Sequence, residues 1–133
     1  MELFLGTDIC EIDRIKHNFD KYGHRFLKKT FTDAEIAYAL AYSMHTIDRL
    51  AVRFAVKEAT SKALRVGINK IGWNKGINWK DVELLRNADT GAVALKLSGK
   101  AQQIAQSLGI TKWEVSVSHS RRDAIATVIG YKG

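Results

Sequence analysis

The sequence predicts a single α+β domain in which a small antiparallel sheet packs with a long central helix and several shorter helices. Two pairs of strand-like segments, each pair joined by a short polar turn, predict antiparallel hairpins. One long segment with apolar residues at helical spacing predicts the central helix. The chain has 133 residues, of which 46% are apolar and 26% charged. This composition is typical of one folded domain, which we expect to span residues 1–133.

The N-terminal third is predicted to begin with a strand and continue as helix. The run from Leu3 to Ile9 predicts a short, largely buried strand, with Asp8 near its end. A helix follows, because apolar residues recur at steps of three and four at Ile12, Ile15 and Phe19. Gly23 is expected to divide this helical region in two.

The middle of the chain is predicted to hold two consecutive helices. Thr32 to Glu35 reads TDAE, a capping box in which each side chain satisfies the other residue's backbone N–H. A helix should therefore start at Thr32 and run through Leu40. The next helix, from about Asp48 to Arg65, is the long central one.

A glycine-, asparagine- and lysine-rich stretch follows Gly67 and predicts an irregular loop that contains Trp73 and Trp79. We assign neither tryptophan a role from sequence. Beyond the loop, 82–85 and 92–97 predict the first hairpin, joined through turn-forming Asn, Asp and Gly residues.

The C-terminal third is predicted to hold a helix and the second hairpin. Ser98 can cap a helix that ends near Leu108, with Gly109 terminating it in a left-handed conformation. Strict alternation over 113–119, a polar turn and the run AIATVIG then predict a hairpin.

Composition and charge limit the classes of function. Lys and Arg number 21 against 14 Asp and Glu, a net charge of +7, which favours an acidic partner: nucleic acid, an anionic membrane, a phosphate-rich small molecule or an acidic protein. The single cysteine, Cys10, excludes an intramolecular disulfide framework and a multi-cysteine zinc site. The run Leu3 to Leu5 is too short for a signal peptide or a membrane span, so we expect a cytoplasmic protein.

Two carboxylates stand out as candidate metal ligands. Glu58 lies on a mostly apolar flank of the central helix, where it can pair with Lys62, reach solvent or bind a metal. Asp8 can simply terminate a strand or cap the next helix. Together the two would offer the hard oxygen ligands that Mg²⁺ prefers, with water and substrate phosphates in the remaining positions.

Several cationic residues could hold the phosphates of such a ligand. Four of them are Arg53, Lys57, Lys62 and Arg65 on the central helix. His119, at the end of a predicted strand between Ser118 and Ser120, is either structural or a donor to a phosphate oxygen. No serine or cysteine lies in a nucleophile signature, and the glycines match neither the Walker A nor the Rossmann pattern.

The first helical region carries a basic stripe, which is either a solvated face or a docking surface. It comprises Arg14, Asn18, Lys21, Arg25 and Lys28. Exposed aromatic residues, which single-stranded nucleic-acid binding would require, are not interleaved with it, so an acidic protein partner fits better. A small basic nucleic-acid-binding module and a noncatalytic partner of a carrier protein are the two rival interpretations.

Three segments together resemble the holo-acyl-carrier-protein synthase family: GTDICEIDRI at 6–15, RFAVKEATSKAL at 53–64 and SVSHS at 116–120. The resemblance extends over essentially the whole chain. It implies a 4'-phosphopantetheinyl transferase-like fold and a transferase of lipid metabolism that moves phosphopantetheine from coenzyme A to a serine of apo acyl carrier protein, releasing 3',5'-ADP.

The resemblance also implies roles for individual residues. Asp8 and Glu58 correspond to Mg²⁺ ligands, Lys62 to a lysine near the pyrophosphate, and His119 with Ser120 to a pair near the 3'-phosphate of coenzyme A. Arg53 is a further phosphate contact, and either Glu58 or a water on the metal is the base. The acidic carrier would dock on the basic surface formed by Arg14, Lys21, Arg25 and Lys28. The family is typically homotrimeric, with sites between neighbouring subunits, and neither nucleic acid nor membrane is an expected partner.

Overall fold

The structure is a computed structural model that describes residues 1–67 and 76–133. The part of the predicted loop that contains Trp73 lies outside the described residues. The strands are β1 (Phe4–Glu11), β2 (Val82–Arg86), β3 (Val93–Leu97), β4 (Lys112–His119) and β5 (Asp123–Tyr131). The α-helices are α1 (Ile12–Tyr22), α2 (His24–Thr30), α3 (Asp33–Leu40), α4 (Thr46–Ala63) and α5 (Gly99–Ser107), with short 3-10 turns at Ser43–His45 and Trp79–Asp81.

The larger sheet is antiparallel, with the strand order β1-β5-β4. Both predicted hairpins are confirmed, since β4 pairs with β5 and β2 pairs with β3. The pairing of β1 with β5 joins the two ends of the chain. Its register places Asp8 opposite Ala126 and Cys10 opposite Ala124, which in turn lies opposite His119.

The core is built where α4 packs across the inner face of this sheet. Alternate residues of β5, among them Ala124, Ala126 and Val128, are completely buried. Gly6 marks the closest approach of β1 to α4, because a Cβ atom on it would lie 1.8 Å from the carbonyl oxygen of Ala59. A glycine is therefore required at this point for the strand to lie against the helix.

Local signals in the sequence account for most element ends. The Thr32 capping box is present, with both reciprocal hydrogen bonds, and starts α3 as predicted. Gly23 separates α1 from α2 with a φ of 56°, a conformation that glycine adopts without strain. Ser98 occupies the N-cap position of α5 but makes no side-chain capping hydrogen bond, so the predicted cap is wrong in its chemistry.

Two further details differ from expectation. Asp8 does not end the first strand, which continues to Glu11, because the pairing with β5 extends to Asp123. The central helix begins and ends two residues earlier than predicted, at Thr46 and Ala63. Within 1–67 and 76–133, no helix has both the length and the apolar character needed to cross a membrane.

Candidate active site

Asp8 and Lys62, remote in sequence, meet where β1 crosses α4. The Lys62 ammonium donates to Asp8 Oδ1 at 3.1 Å and to the Thr7 carbonyl oxygen at 3.2 Å. The side chain of Asp8 is only 16% exposed, whereas that of Lys62 is 56% exposed. The pair therefore joins strand to helix and leaves a cation accessible to a ligand from solvent.

Glu58 lies on the same side of α4 as Lys62. The two are four residues apart, which is about 40° around the helix axis, and Glu58 is half-buried. Burial raises the pKa of the neighbouring Cys10 thiol to about 11, and the positive charge of Arg14 opposes that shift. The negative charges of Asp8 and Glu58 each raise the pKa further. Asp8 and Glu58 thus act on one small region between β1 and α4.

The donor set at this region fits a magnesium ion that arrives with a phosphate ligand. Among the described residues, no group of three or more His, Cys, Asp or Glu side chains is placed to hold a metal. The protein supplies two carboxylates, Asp8 and Glu58, and Mg²⁺ is commonly bound through one or two carboxylates together with waters and substrate phosphates. A fully protein-enclosed structural metal site does not fit these residues.

A second site is a cationic pocket of about 280 Å³ that contains Arg53 and His119. Its basic side chains are completed by His45, Arg49 and Arg86, and a carboxylate is present from Asp48. Sequence analysis missed Arg49 and Arg86; the spacing of Arg49 one turn before Arg53 is the signal that could have indicated the first. The pocket lies between α4, the β2–β3 hairpin and the end of β4.

Arg53 is the most constrained member of this cationic pocket. It is only 4% exposed, its guanidinium stacks over the Tyr38 ring at 4.4 Å, and Nη1 donates to the Arg49 carbonyl at 3.2 Å. Among residues 1–67 and 76–133, its buried Nε atom has no hydrogen-bond partner. Burial lowers the pKa of the Arg53 guanidinium. A buried donor without a partner is costly, and an anion in the pocket would offer an acceptor.

His119 and Ser120 are adjacent in the sequence, but their side chains make different interactions. His119 is exposed and lines the pocket, with Nδ1 3.4 Å from the Ser120 carbonyl oxygen. The Ser120 hydroxyl accepts hydrogen bonds from the backbone N–H groups of Arg122 and Asp123, at 3.3 and 3.2 Å. Ser120 therefore closes the turn between β4 and β5 and holds His119 at the edge of the pocket.

The expectation that Lys57 holds phosphate is wrong. Lys57 is completely buried, and its ammonium is bound to Glu35 Oε1 at 2.8 Å, because its position on α4 faces α3 and β2 rather than solvent. Arg65 is exposed and lies over the Phe4 ring at 4.8 Å, close to Glu2.

The basic stripe borders a groove of about 540 Å³ between α1, α2 and the turn at Trp79. Arg14 and Arg25 line this groove together with Lys29, while Lys21 and Lys28 are exposed on the same two helices. Aromatic side chains of Phe26, Phe54 and Trp79 form its apolar part. The groove therefore combines a cationic rim with an apolar floor.

Comparison with known proteins gives one consistent result. The family model of the 4'-phosphopantetheinyl transferase superfamily matches residues 4–129. The chain is 40% identical to a holo-[acyl-carrier-protein] synthase of Gloeobacter violaceus over 124 residues, covering 93% of this chain and 89% of that protein. It is 41% identical to one of Thermoanaerobacter sp. over 133 residues, covering 100% and 90%. The Helicobacter pylori holo-[acyl-carrier-protein] synthase, crystallised in complex with coenzyme A, superposes with a TM-score of 0.78 at 28% identity, covering 96% of this chain and 99% of that one.

Proposed function

The chain belongs to the 4'-phosphopantetheinyl transferase superfamily, and from this premise we propose that it is a Mg²⁺-dependent enzyme that transfers 4'-phosphopantetheine from coenzyme A to a serine hydroxyl of an apo acyl carrier protein. The other product is 3',5'-ADP, and the reaction takes place in the cytoplasm. The observation that carries the proposal is the meeting of Asp8 with Lys62 beside Glu58, where β1 crosses α4.

In the proposed reaction, the serine oxygen forms a bond to the β-phosphorus of coenzyme A. The bond from that phosphorus to the bridging oxygen of the diphosphate breaks, and 3',5'-ADP leaves with the electron pair. In this proposal Glu58 would accept the proton of the serine hydroxyl, the alternative base being a water held at the same site. The carboxylates of Asp8 and Glu58 would hold Mg²⁺, which when bound neutralises charge on the diphosphate.

Lys62 stabilises the leaving group in this proposal. Negative charge develops on the departing 3',5'-ADP, so a cation beside it favours the transition state over the ground state. Because its side chain is 56% exposed and pairs with Asp8 on the strand, Lys62 can reach a phosphate with only a local change of side-chain conformation.

The cationic pocket supplies the remaining phosphate contact, with Arg53 and His119 receiving the 3'-phosphate of coenzyme A. Arg53 and Glu58 are five residues apart on α4, which is about 140° around the helix axis. The pocket that contains Arg53 and His119 has neither Asp8 nor Lys62 in its lining. One ligand that reaches both sets is therefore best accommodated between two copies of the chain.

An apolar outer face of the sheet offers a surface for such copies. Leu5, Ile9 and Ile125 are 61%, 65% and 39% exposed, and they lie on the face of β1 and β5 opposite α4. Exposed apolar surface of this kind is typical of subunit interfaces. We propose a homotrimer, in which this face is covered by neighbouring subunits.

Leu5→Lys is expected to dissociate the proposed trimer and strongly reduce transfer, because a charge would be buried at each interface. Analytical ultracentrifugation measures the effect. Leu40→Lys, a comparable change of an exposed leucine on α3, is the control and should stay trimeric. Wild-type protein that sediments as a single chain and retains full transfer would contradict the assembly.

Charge reversal on α1 is expected to weaken carrier binding. In the variant Arg14→Glu/Lys21→Glu, the docking surface repels an acidic carrier, so the KM for the carrier should rise at least about tenfold. The affinity for coenzyme A, measured by calorimetry, should change little. Lys112→Glu/Lys132→Glu changes the net charge equally and is the control, since both residues are exposed and lie at the paired ends of β4 and β5, not on α1 or α2. Unchanged carrier affinity in the α1 variant would refute the docking surface.

One assay tests the function itself. The protein is incubated with an apo carrier, coenzyme A and Mg²⁺, and the carrier is weighed by mass spectrometry. Gain of the phosphopantetheine mass, lost on chelation of Mg²⁺, is the expected result. No gain with any of several carriers would overturn the proposed activity.

A further inference from the structure

A buried ion pair that the proposed chemistry does not use joins α3, α4 and β2. Lys57 is completely buried, and its ammonium donates to Glu35 Oε1 at 2.8 Å, to the Trp79 carbonyl at 3.0 Å and to the Val82 carbonyl. A lysine ammonium has three N–H donors. The three acceptors come from three different elements, so the direction of each bond is determined by the fold around Lys57.

Both oxygens of the Glu35 carboxylate also accept hydrogen bonds. Its side chain accepts from the Thr32 backbone N–H at 3.0 Å, completing the capping box, and from the Leu84 backbone N–H at 3.2 Å. The same carboxylate therefore starts α3, anchors β2 and binds Lys57.

Stability alone is a weak explanation for such a pair. Desolvating two charges offsets much of their attraction, and apolar replacements of buried ion pairs are often neutral or stabilising. What a buried pair does provide is a defined geometry for the groups around it. We therefore expect the pair to hold a neighbouring group of Lys57 in a defined position.

The contacts of Lys57 indicate that this group is Trp79. Lys57 holds its carbonyl group, and its indole stacks on Phe54, with ring centroids 4.8 Å apart and planes 30° apart. Phe54 lies three residues before Lys57 on α4, and Arg14 covers the Phe54 ring at 5.3 Å. Both Trp79 and Phe54 line the groove between α1 and α2.

We propose that Trp79 contacts an apolar side chain of the acidic carrier, and that Lys57 and Glu35 act as positioning residues that hold Trp79 in the groove. The inference rests on the proposed function. The occupant is an acidic protein because the rim of the groove is cationic, with Arg14, Arg25 and Lys29 around the aromatic floor. Aromatic side chains in such a position commonly dominate binding energy.

The contact is tested on the otherwise unaltered protein. Wild-type protein is labelled with 5-fluorotryptophan, the fluorine resonances are assigned from single Trp→Phe variants, and apo carrier is added to saturation. We expect the Trp79 resonance to shift and that of Trp113, on β4 outside the groove, to stay in place. A Trp79 resonance that does not move at saturating carrier overturns the contact.

The positioning role is tested with Lys57→Met and with Lys57→Met/Glu35→Gln, which leaves no uncompensated charge buried. In either folded variant we expect the Trp79 resonance to move in the absence of carrier. The KM for the carrier should rise about tenfold, while kcat at saturating carrier and the affinity for coenzyme A stay within about threefold.

A folded variant with wild-type carrier KM and an unmoved Trp79 resonance overturns the positioning role. So does failure of both variants to fold, because the pair then serves the whole fold rather than this turn. Failure of the proposed function is distinct: the wild-type enzyme would then modify no apo carrier, whatever the Trp79 resonance does.

Discussion

Replacing Asp8 or Glu58 by alanine is expected to abolish phosphopantetheine transfer while leaving the protein folded. Each variant removes a carboxylate from the region where we propose that Mg²⁺ meets the diphosphate, and loss of such electrostatic stabilisation costs roughly a hundred- to a thousandfold in rate. The fold should survive the loss of Asp8, because the side chain of its Lys62 partner is 56% exposed and the ammonium can be solvated when the carboxylate is gone. Transfer is measured by mass spectrometry and folding by circular dichroism.

A matched control separates this effect from a general loss of charge. Asp89→Asn alters an exposed carboxylate in the β2–β3 turn and should transfer at the wild-type rate. Calorimetry of Mg²⁺ binding in the presence of coenzyme A should show the metal affinity falling in both alanine variants. Wild-type turnover by either variant at saturating Mg²⁺ would remove that residue from the metal site.

Gly6→Ala is expected to have the largest effect on stability. The added Cβ would lie 1.8 Å from the Ala59 carbonyl oxygen and 2.8 Å from the Ala63 backbone nitrogen. Both are backbone atoms of α4, so no side-chain rotation relieves the overlap and β1 has to move away from the helix. We expect a loss of about 3 kcal/mol or more in the free energy of unfolding, measured by urea denaturation.

The activity of Gly6→Ala reports on the site as well. Gly6→Ala protein that does fold should transfer phosphopantetheine slowly, because moving β1 separates Asp8 from Lys62. Gly67→Ala is the control: no atom in the part of the chain that the structure describes would lie within 4 Å of a Cβ there, and its φ is not in the left-handed region. A Gly6→Ala protein as stable as wild type would show that β1 does not need this close approach.

Local signals were sufficient to predict most elements. The Thr32 capping box and Gly23 each act within a few residues of themselves, so their effects could be predicted from spacing alone. The pairing of β1 with β5 could not be predicted in this way, because it joins residues more than a hundred positions apart in the sequence. The alternation of apolar and polar residues along a strand does not tell which distant strand pairs with it.

Some residues of the candidate site could likewise be found from sequence, and others could not. Asp8, Glu58 and Lys62 were identified from residue type and from resemblance to a family, and the family itself is confirmed. The error at Lys57 arose because sequence periodicity does not tell which neighbour covers a given helix face, and Glu35 was the neighbour. Arg86 was missed because it joins Arg53 only through the packing of the β2–β3 hairpin. Arg49 lies one turn before Arg53 on the same helix, and that spacing was not used.

The sequence by itself determined the elements, the family and the side chains with the chemistry for phosphate and metal, because these depend on residue type and short-range spacing. Tertiary structure alone decided which of those side chains meet. The close contact of Gly6 with α4 brings Asp8 to Lys62, and burial removes Lys57 from any ligand. The physical reason is that burial and proximity are properties of the packed chain, in which a helix face acquires its character from whatever covers it.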